Sequence, residues 1–322
     1  MRQQRFEQQH AADWARYRTL LEQLEQRRRR GAELAEFPGL HRRVCAHYAL
    51  ARTRGYTPGL IAELEQLVRR GHAQLHRPTL RLGARALQLM ARDFPRALRR
   101  HAAPLWLAAA LLFVPMAAMA LGAYHDPGLI LTLVDAEQLA ELEALYDPAR
   151  DHPGQVRPAD SDLAMFGFYV RNNVGIGFRS FAAGVLFGIG SVVILVFNGL
   201  FIGAAAGHLS AIGHGITFWP FVSGHAPFEL SAIAICGGAG LLLGKALFAP
   251  GRLPRLAALR VNARDALVLV AGAALMLVGA ALIEAFWSAG AAPVAVKYAV
   301  GAAGWTLLAL YIALAGRGDD AS

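Results

Sequence analysis

The stretch Arg171–Leu209, RNNVGIGFRSFAAGVLFGIGSVVILVFNGLFIGAAAGHL, decides the fold. It is a long apolar run into which polar and small residues are set at intervals. A hydrocarbon core of about 30 Å is crossed by about 20 helical residues. Polar groups at that depth are costly and are kept where something satisfies or uses them. Asn198-Gly199 interrupts the run. Both residue types tolerate positive φ, and an Asn amide can satisfy freed backbone groups, so the pair reads as a helix-breaking turn. A broken helix lining a selectivity or gating element is the sharper alternative.

Working outward, further apolar segments run near 103–123, 228–248, 266–286 and 294–315. With a turn at Asn198-Gly199, the central run divides into spans near 178–197 and 200–222, a glycine-rich helical hairpin. The expected fold is therefore an all-α polytopic membrane protein with about six spans, preceded by a soluble helical domain. Loop charges favour six over five. Residues 124–162 hold nine acidic residues against two arginines, whereas 245–264 hold five basic residues and no acidic one. Positive loops stay cytoplasmic. Only an even number of spans puts the acidic loop outside, the basic linker inside, and both the N- and C-termini in the cytoplasm.

The first 101 residues differ in kind. They carry 21 arginines and nine acidic residues, and their apolar positions recur at helical spacing. The start of the chain is charged and reads as no signal peptide, so the first apolar segment is expected to stay as an anchor. A basic block tethered to membrane segments suits an anionic inner leaflet better than nucleic acid, and no nucleic-acid partner is expected. The expected boundary lies between a 1–101 cytoplasmic domain and a 102–322 membrane domain. Cys45 and Cys236 form no disulfide or metal motif; they read as packing residues.

Several membrane-half residues are candidates for specific roles. Gly184, Gly188, Gly203, Gly207, Gly237, Gly240 and Gly244 recur at spacings of three and four, the pattern that lets helix backbones approach closely in lipid. His225 and Glu229 share a helix face, with Glu229 in the first turn where the dipole favours an anion. They read as a structural pair, with a proton relay or a metal site including His208 or His214 as alternatives. Without a stronger ligand motif, neither a metal nor a cofactor is expected. Glu284 and Lys297 flank the Ser288–Pro293 turn and are expected to pair or to reach the same interface.

These residues together resemble the stage II sporulation protein M family. The resemblance rests on Asn172-Asn173, Phe181, Gly184, Gly188, Asn198-Gly199 and Gly203, then His225, Glu229, Ala232, Gly237 and the Ala239–Gly244 stretch. Ala226 stands where the family usually has Gly after the histidine. The first half resembles the helical extension of non-sporulating members in Trp14, Phe37-Pro38, Ala49–Arg52, Leu67–Arg70 and Asp93-Phe94-Pro95. The resemblance implies a bacterial inner-membrane protein. In spore formers the family member anchors peptidoglycan-degrading partners during engulfment and is not the hydrolase. Long members are similar to proteins encoded beside AAA+ ATPases. The expected function is thus a non-enzymatic scaffold for envelope protein partners, itself a possible homo-oligomer. A transporter or channel using the broken hairpin and the His225/Glu229 pair is the rival, and a metal-dependent membrane enzyme the third reading.

Overall fold

The computed structural model describes residues 3–25, 36–75, 82–149 and 162–317, and these are helical with no strand among them. The chain divides into two compact units, Met1–Arg81 and Leu82–Ser322.

The first unit packs three helices: α1 (Gln3–Glu25), α2 (Phe37–Thr53) and α3 (Pro58–Leu75). Each presents an apolar stripe, and Phe6, Tyr17, Leu20, Leu21, Val44 and Leu64 are fully enclosed. The Tyr17 hydroxyl lies 2.6 Å from His41 Nδ1, over Gly71, where a side chain would collide with it. Arg70 grips both carboxylate oxygens of Glu25 at 3.0 and 2.8 Å, closing α3 on α1.

The second unit begins earlier than the sequence predicts. Residues 82–100, expected in the cytoplasmic domain, pack with the membrane helices as α4 (Leu82–Gln88), a π-turn over Leu89–Asp93, and α5 (Phe94–Arg100). The reason is apolar burial: Phe94, Ala97 and Leu98 sit in the main core, the Phe94 ring filling the space Gly272 leaves. Pro95 has no N–H to give the Met90 carbonyl in this wide turn, and the Tyr311 hydroxyl takes that carbonyl at 2.5 Å.

The remaining helices are α6 (Ala102–His125), α7 (Ala136–Leu145), α8 (Asp162–Ala182), α9 (Ile189–Ala211), α10 (Gly215–Ser223), α11 (Ala226–Phe248), α12 (Arg255–Ile283) and α13 (Val294–Leu314). Among the described residues five segments are long and apolar enough to cross a membrane: Ala102–His125, Ile189–Ala211, Ala226–Phe248, Arg255–Ser288 and Val294–Leu314. Contacts fix their directions. Gly199, Gly203 and Gly207 of α9 meet the carbonyls of Leu112, Met116 and Ala120 in step, so α6 and α9 run parallel. Parallel neighbours need a return between them, and α8 supplies it. Its start packs Met165 and Tyr169 with Ala281 of α12 and Ala285 just beyond it, and the turn after it sets Gly184 on Gly240 of α11.

Among the described residues six helices therefore run the length of the bundle, although α8, carrying Arg171, Asn172, Asn173 and Arg179, is not among the five apolar ones. At one end, the basic end, Arg100 and His101 bond Asp265 in the first half of α12, Arg99 reaches the Ile312 carbonyl in the last turn of α13, and Arg96 reaches the Gly316 carbonyl just after it. Entry to α6 and exit from α13 thus share one end. The hub is α11, 72% buried over its most apolar window.

The predicted turn at Asn198-Gly199 is not one. Asn198 returns its amide to the Ile194 carbonyl at 2.7 Å within a continuous α9, and Gly199 is there because its backbone touches α6. The chain reverses ten residues earlier, through a 3₁₀ turn over Ala183–Val185, Phe187 at φ 53° and Gly188 at φ 83°. The expected spans 178–197 and 200–222 are replaced by α8, α9 and the short α10. The correction has one cause: a glycine supplies both turns and close contacts, and only the partner helix distinguishes them.

At the other end, part of the acidic segment forms a cap. Asp135 and Gln138 make a reciprocal capping box that starts α7. His208 Nδ1 meets the Pro127 carbonyl at 2.9 Å and Nε2 meets Glu143 at 2.7 Å. Thr217 donates to the Tyr146 carbonyl at 2.5 Å, and the Tyr146 ring packs among Leu209, Phe218 and Phe221. Residues 150–161 of the expected external loop lie outside the described residues.

Candidate functional site

Beneath the cap, three acid and imidazole side chains from two helices converge. His225 and Glu229 come from the first turn of α11, started by Pro227. Glu284 comes from the π-wound end of α12, Glu284–Ser288. One ligand atom from each lies within 4.8 Å of the other two. His225 Nδ1 sits 3.0 Å from the Ser288 hydroxyl, while Nε2 stands 4.0 Å from Glu229 Oε2, beyond hydrogen-bond reach. His225 is 5% exposed.

The shell around this cluster comes from four other elements. Asn173 of α8, 3% exposed, sends its amide to Glu284 Oε2 at 3.5 Å and accepts from Asn172 at 2.9 Å. Lys297 of α13 donates to the Ser288 carbonyl at 2.7 Å, and Ser223 donates to the Lys297 carbonyl at 3.2 Å. Phe221 packs edge-on to His225 at 5.7 Å and to Tyr146 at 5.8 Å, linking cap to cluster. Burial raises the Tyr146 hydroxyl above its usual range, and the nearby Glu284, Tyr169 and Glu229 add to the effect. That phenol therefore stays neutral over the cluster.

Of the candidates read from sequence, Asn172, Asn173, His225 and Glu229 gather here. Asn198 and Gly199 lie instead at the α6–α9 contact. Gly203 and Gly207 continue that contact, and Gly184, Gly188, Gly237, Gly240 and Gly244 line the meeting of α11 with the 183–188 turn and α9. A side chain on Gly240 would strike the Ser191 hydroxyl, which itself donates to the Ser180 carbonyl at 2.6 Å. Lys297 does not pair with Glu284 but binds a carbonyl. His208 serves the cap, not the cluster. Glu284, expected from sequence to pair with Lys297 or to share its interface, joins His225 and Glu229 instead. Its signal was its position, a single acid at the end of a long apolar helix.

A second grouping lies in the first unit: His10, Asp13 and His47, again within 4.8 Å. Its chemistry is different. The Trp14 indole can only donate, and it donates to His47 Nδ1 at 3.1 Å. The neutral His47 ring then keeps its proton on Nε2, the nitrogen a metal would need.

Architecture and site together define a polytopic helical membrane protein with a buried polar cluster at one end of its bundle. Comparison with known families gives a match to Stage II sporulation protein M over residues 101–289, more than half of the chain. The chain belongs to that family. Residues 4–77 match a second family, a domain of unknown function (DUF8413). No curated protein and no solved structure matches the chain.

Proposed function

We propose that this protein is a non-enzymatic scaffold of a bacterial inner membrane that recruits or positions partner proteins of an envelope-associated complex. The carrying observation is the cap. Its acidic helix α7 is held to the bundle by Glu143 and Tyr146, while Glu137, Glu141 and Asp147 face outward. A polar surface rigidly mounted on close-packed membrane helices suits docking, because little ordering entropy remains to be lost on binding. The opposite end holds Arg99, Arg100, Lys245, Arg252, Arg255, Arg260 and Arg264, which supports a cytoplasmic basic end with both termini on that side. A membrane-associated AAA+ ATPase complex is the expected class of inner partner.

The test is crosslinking in native membranes followed by mass spectrometry, comparing wild type with Glu137→Lys/Glu141→Lys. Stoichiometric partners lost in the variant, with unchanged thermal stability, are expected. Equal capture by both proteins overturns the cap's role. A transport reading draws on the buried His225–Glu229–Glu284 cluster. Ion flux in liposomes that vanishes in Glu229→Gln would favour it over the scaffold.

A further inference from the structure

We propose that His225, Glu229 and Glu284 form a three-ligand site for a divalent first-row transition-metal cation that ties α11 to the end of α12. The proposal goes beyond the scaffold reading and does not depend on it.

Three observations converge. The first is the donor set. One imidazole and two carboxylates, drawn from two helices and within 4.8 Å of one another, need only modest side-chain rotation to reach the roughly 3–3.5 Å ligand separations of a cation held at about 2.1 Å. A nitrogen and two or more oxygens suit zinc or manganese better than magnesium or calcium, which take oxygen almost alone.

The second is the histidine's orientation. His225 Nδ1 is engaged by the Ser288 hydroxyl at 3.0 Å. With its proton there, the Nε2 lone pair is left free toward the two carboxylates. Such an outer partner fixing tautomer and ring angle is the usual companion of a metal-bound histidine. Ser288 is itself held, since its carbonyl receives the Lys297 ammonium at 2.7 Å. The His10–Asp13–His47 grouping offers two imidazoles and one carboxylate, with the His47 proton on Nε2, and it serves as an internal control.

The third is charge. Two carboxylates this close in a bundle interior repel unless one is protonated or a positive charge stands between them. Asn173 supplies Glu284 with one long bond of 3.5 Å. Lys297 spends its ammonium on a carbonyl rather than on either acid. No hydrogen bond to the Glu229 carboxylate is found among the described residues, and a cation would satisfy it directly.

The experiment uses the full chain purified in detergent, stripped with chelator and titrated with Zn²⁺ or Mn²⁺ against Mg²⁺ and Ca²⁺. Bound metal is counted by mass spectrometry, and Mn²⁺-loaded wild type is examined by pulsed electron paramagnetic resonance. One equivalent of Zn²⁺ or Mn²⁺ is expected, with one imidazole nitrogen coupled to the manganese. Affinity should fall at least 100-fold in Glu284→Gln and Glu229→Gln, about 10-fold in Ser288→Ala, and not at all in His10→Gln. If the carboxylate variants do not fold, the resonance spectrum and the Ser288→Ala affinity still decide. No stoichiometric metal in wild type, a manganese signal without nitrogen coupling, binding kept in folded Glu284→Gln, or binding lost in His10→Gln would each overturn the site.

Discussion

At Gly203 the distance from an added Cβ to the Met116 carbonyl oxygen would be 2.2 Å, and at Gly199 and Gly207 the corresponding distances to Leu112 and Ala120 are 2.3 and 2.2 Å. These obstacles are backbone atoms, so no rotamer change relieves them. Gly203→Ala should therefore lower the bundle's stability by about 1–3 kcal/mol, whereas Gly279→Ala, which meets nothing within 4 Å, should be neutral. Thermal unfolding in one detergent compares the two, and equal melting temperatures would contradict the contact. A second residue-scale effect belongs to His47. Burial, then the neighbouring His10, hold its imidazole below the usual range, with Asp13 opposing and Arg43 adding. The folded state thus takes up fewer protons than the unfolded state. Stability from this group is complete above an unfolded pKa of about 6.5 and is lost as pH falls below it. Hydrogen exchange in α1 and α2, corrected for intrinsic rate, should quicken between pH 7.5 and 5.5. His47→Gln should flatten that dependence.

Among the elements, the cap is held by His208 on one side and by Thr217 and the Tyr146 ring on the other. His208 is 4% exposed and engages both the Pro127 carbonyl and Glu143. Losing it removes both contacts from half-buried partners, and a hydrogen bond of this kind contributes about 0.5–1.5 kcal/mol. His208→Ala should speed exchange across residues 127–147 while α11 and α12 keep wild-type protection. Uniform loosening of the whole bundle would instead make His208 a core residue rather than a latch. The same scale explains the misplaced hairpin. Hydropathy sees a helix only as an apolar run. α8 carries two arginines and two asparagines and drops out of such a run, although it spans the bundle between α6 and α9. Asn173 faces the cluster and Ser180 is enclosed, in protein interior, whereas Arg171, Asn172 and Arg179 are exposed on the bundle surface.

For the whole molecule, entry to α6 and exit from α13 at one end give a concrete topology test. In a Cys45→Ala/Cys236→Ala background, Glu141→Cys should react with an impermeant maleimide from outside intact spheroplasts. Arg252→Cys should react only after permeabilisation. The reverse pattern would invert the proposed orientation.

The all-α membrane class and the small-residue contacts were legible in sequence, because burial in lipid demands continuous apolar helices and close approach demands glycine. So were Asn173, His225 and Glu229 of the polar site, since they stand out against apolar surroundings. The joining of Glu284 to them, the turn at Gly188 in place of Asn198-Gly199, and the recruitment of residues 82–100 into the bundle were decided by tertiary structure alone. Each depends on which helix lies alongside: a glycine, a lone acid or an amphipathic turn has the same local chemistry in several packings, and the neighbour chooses among them.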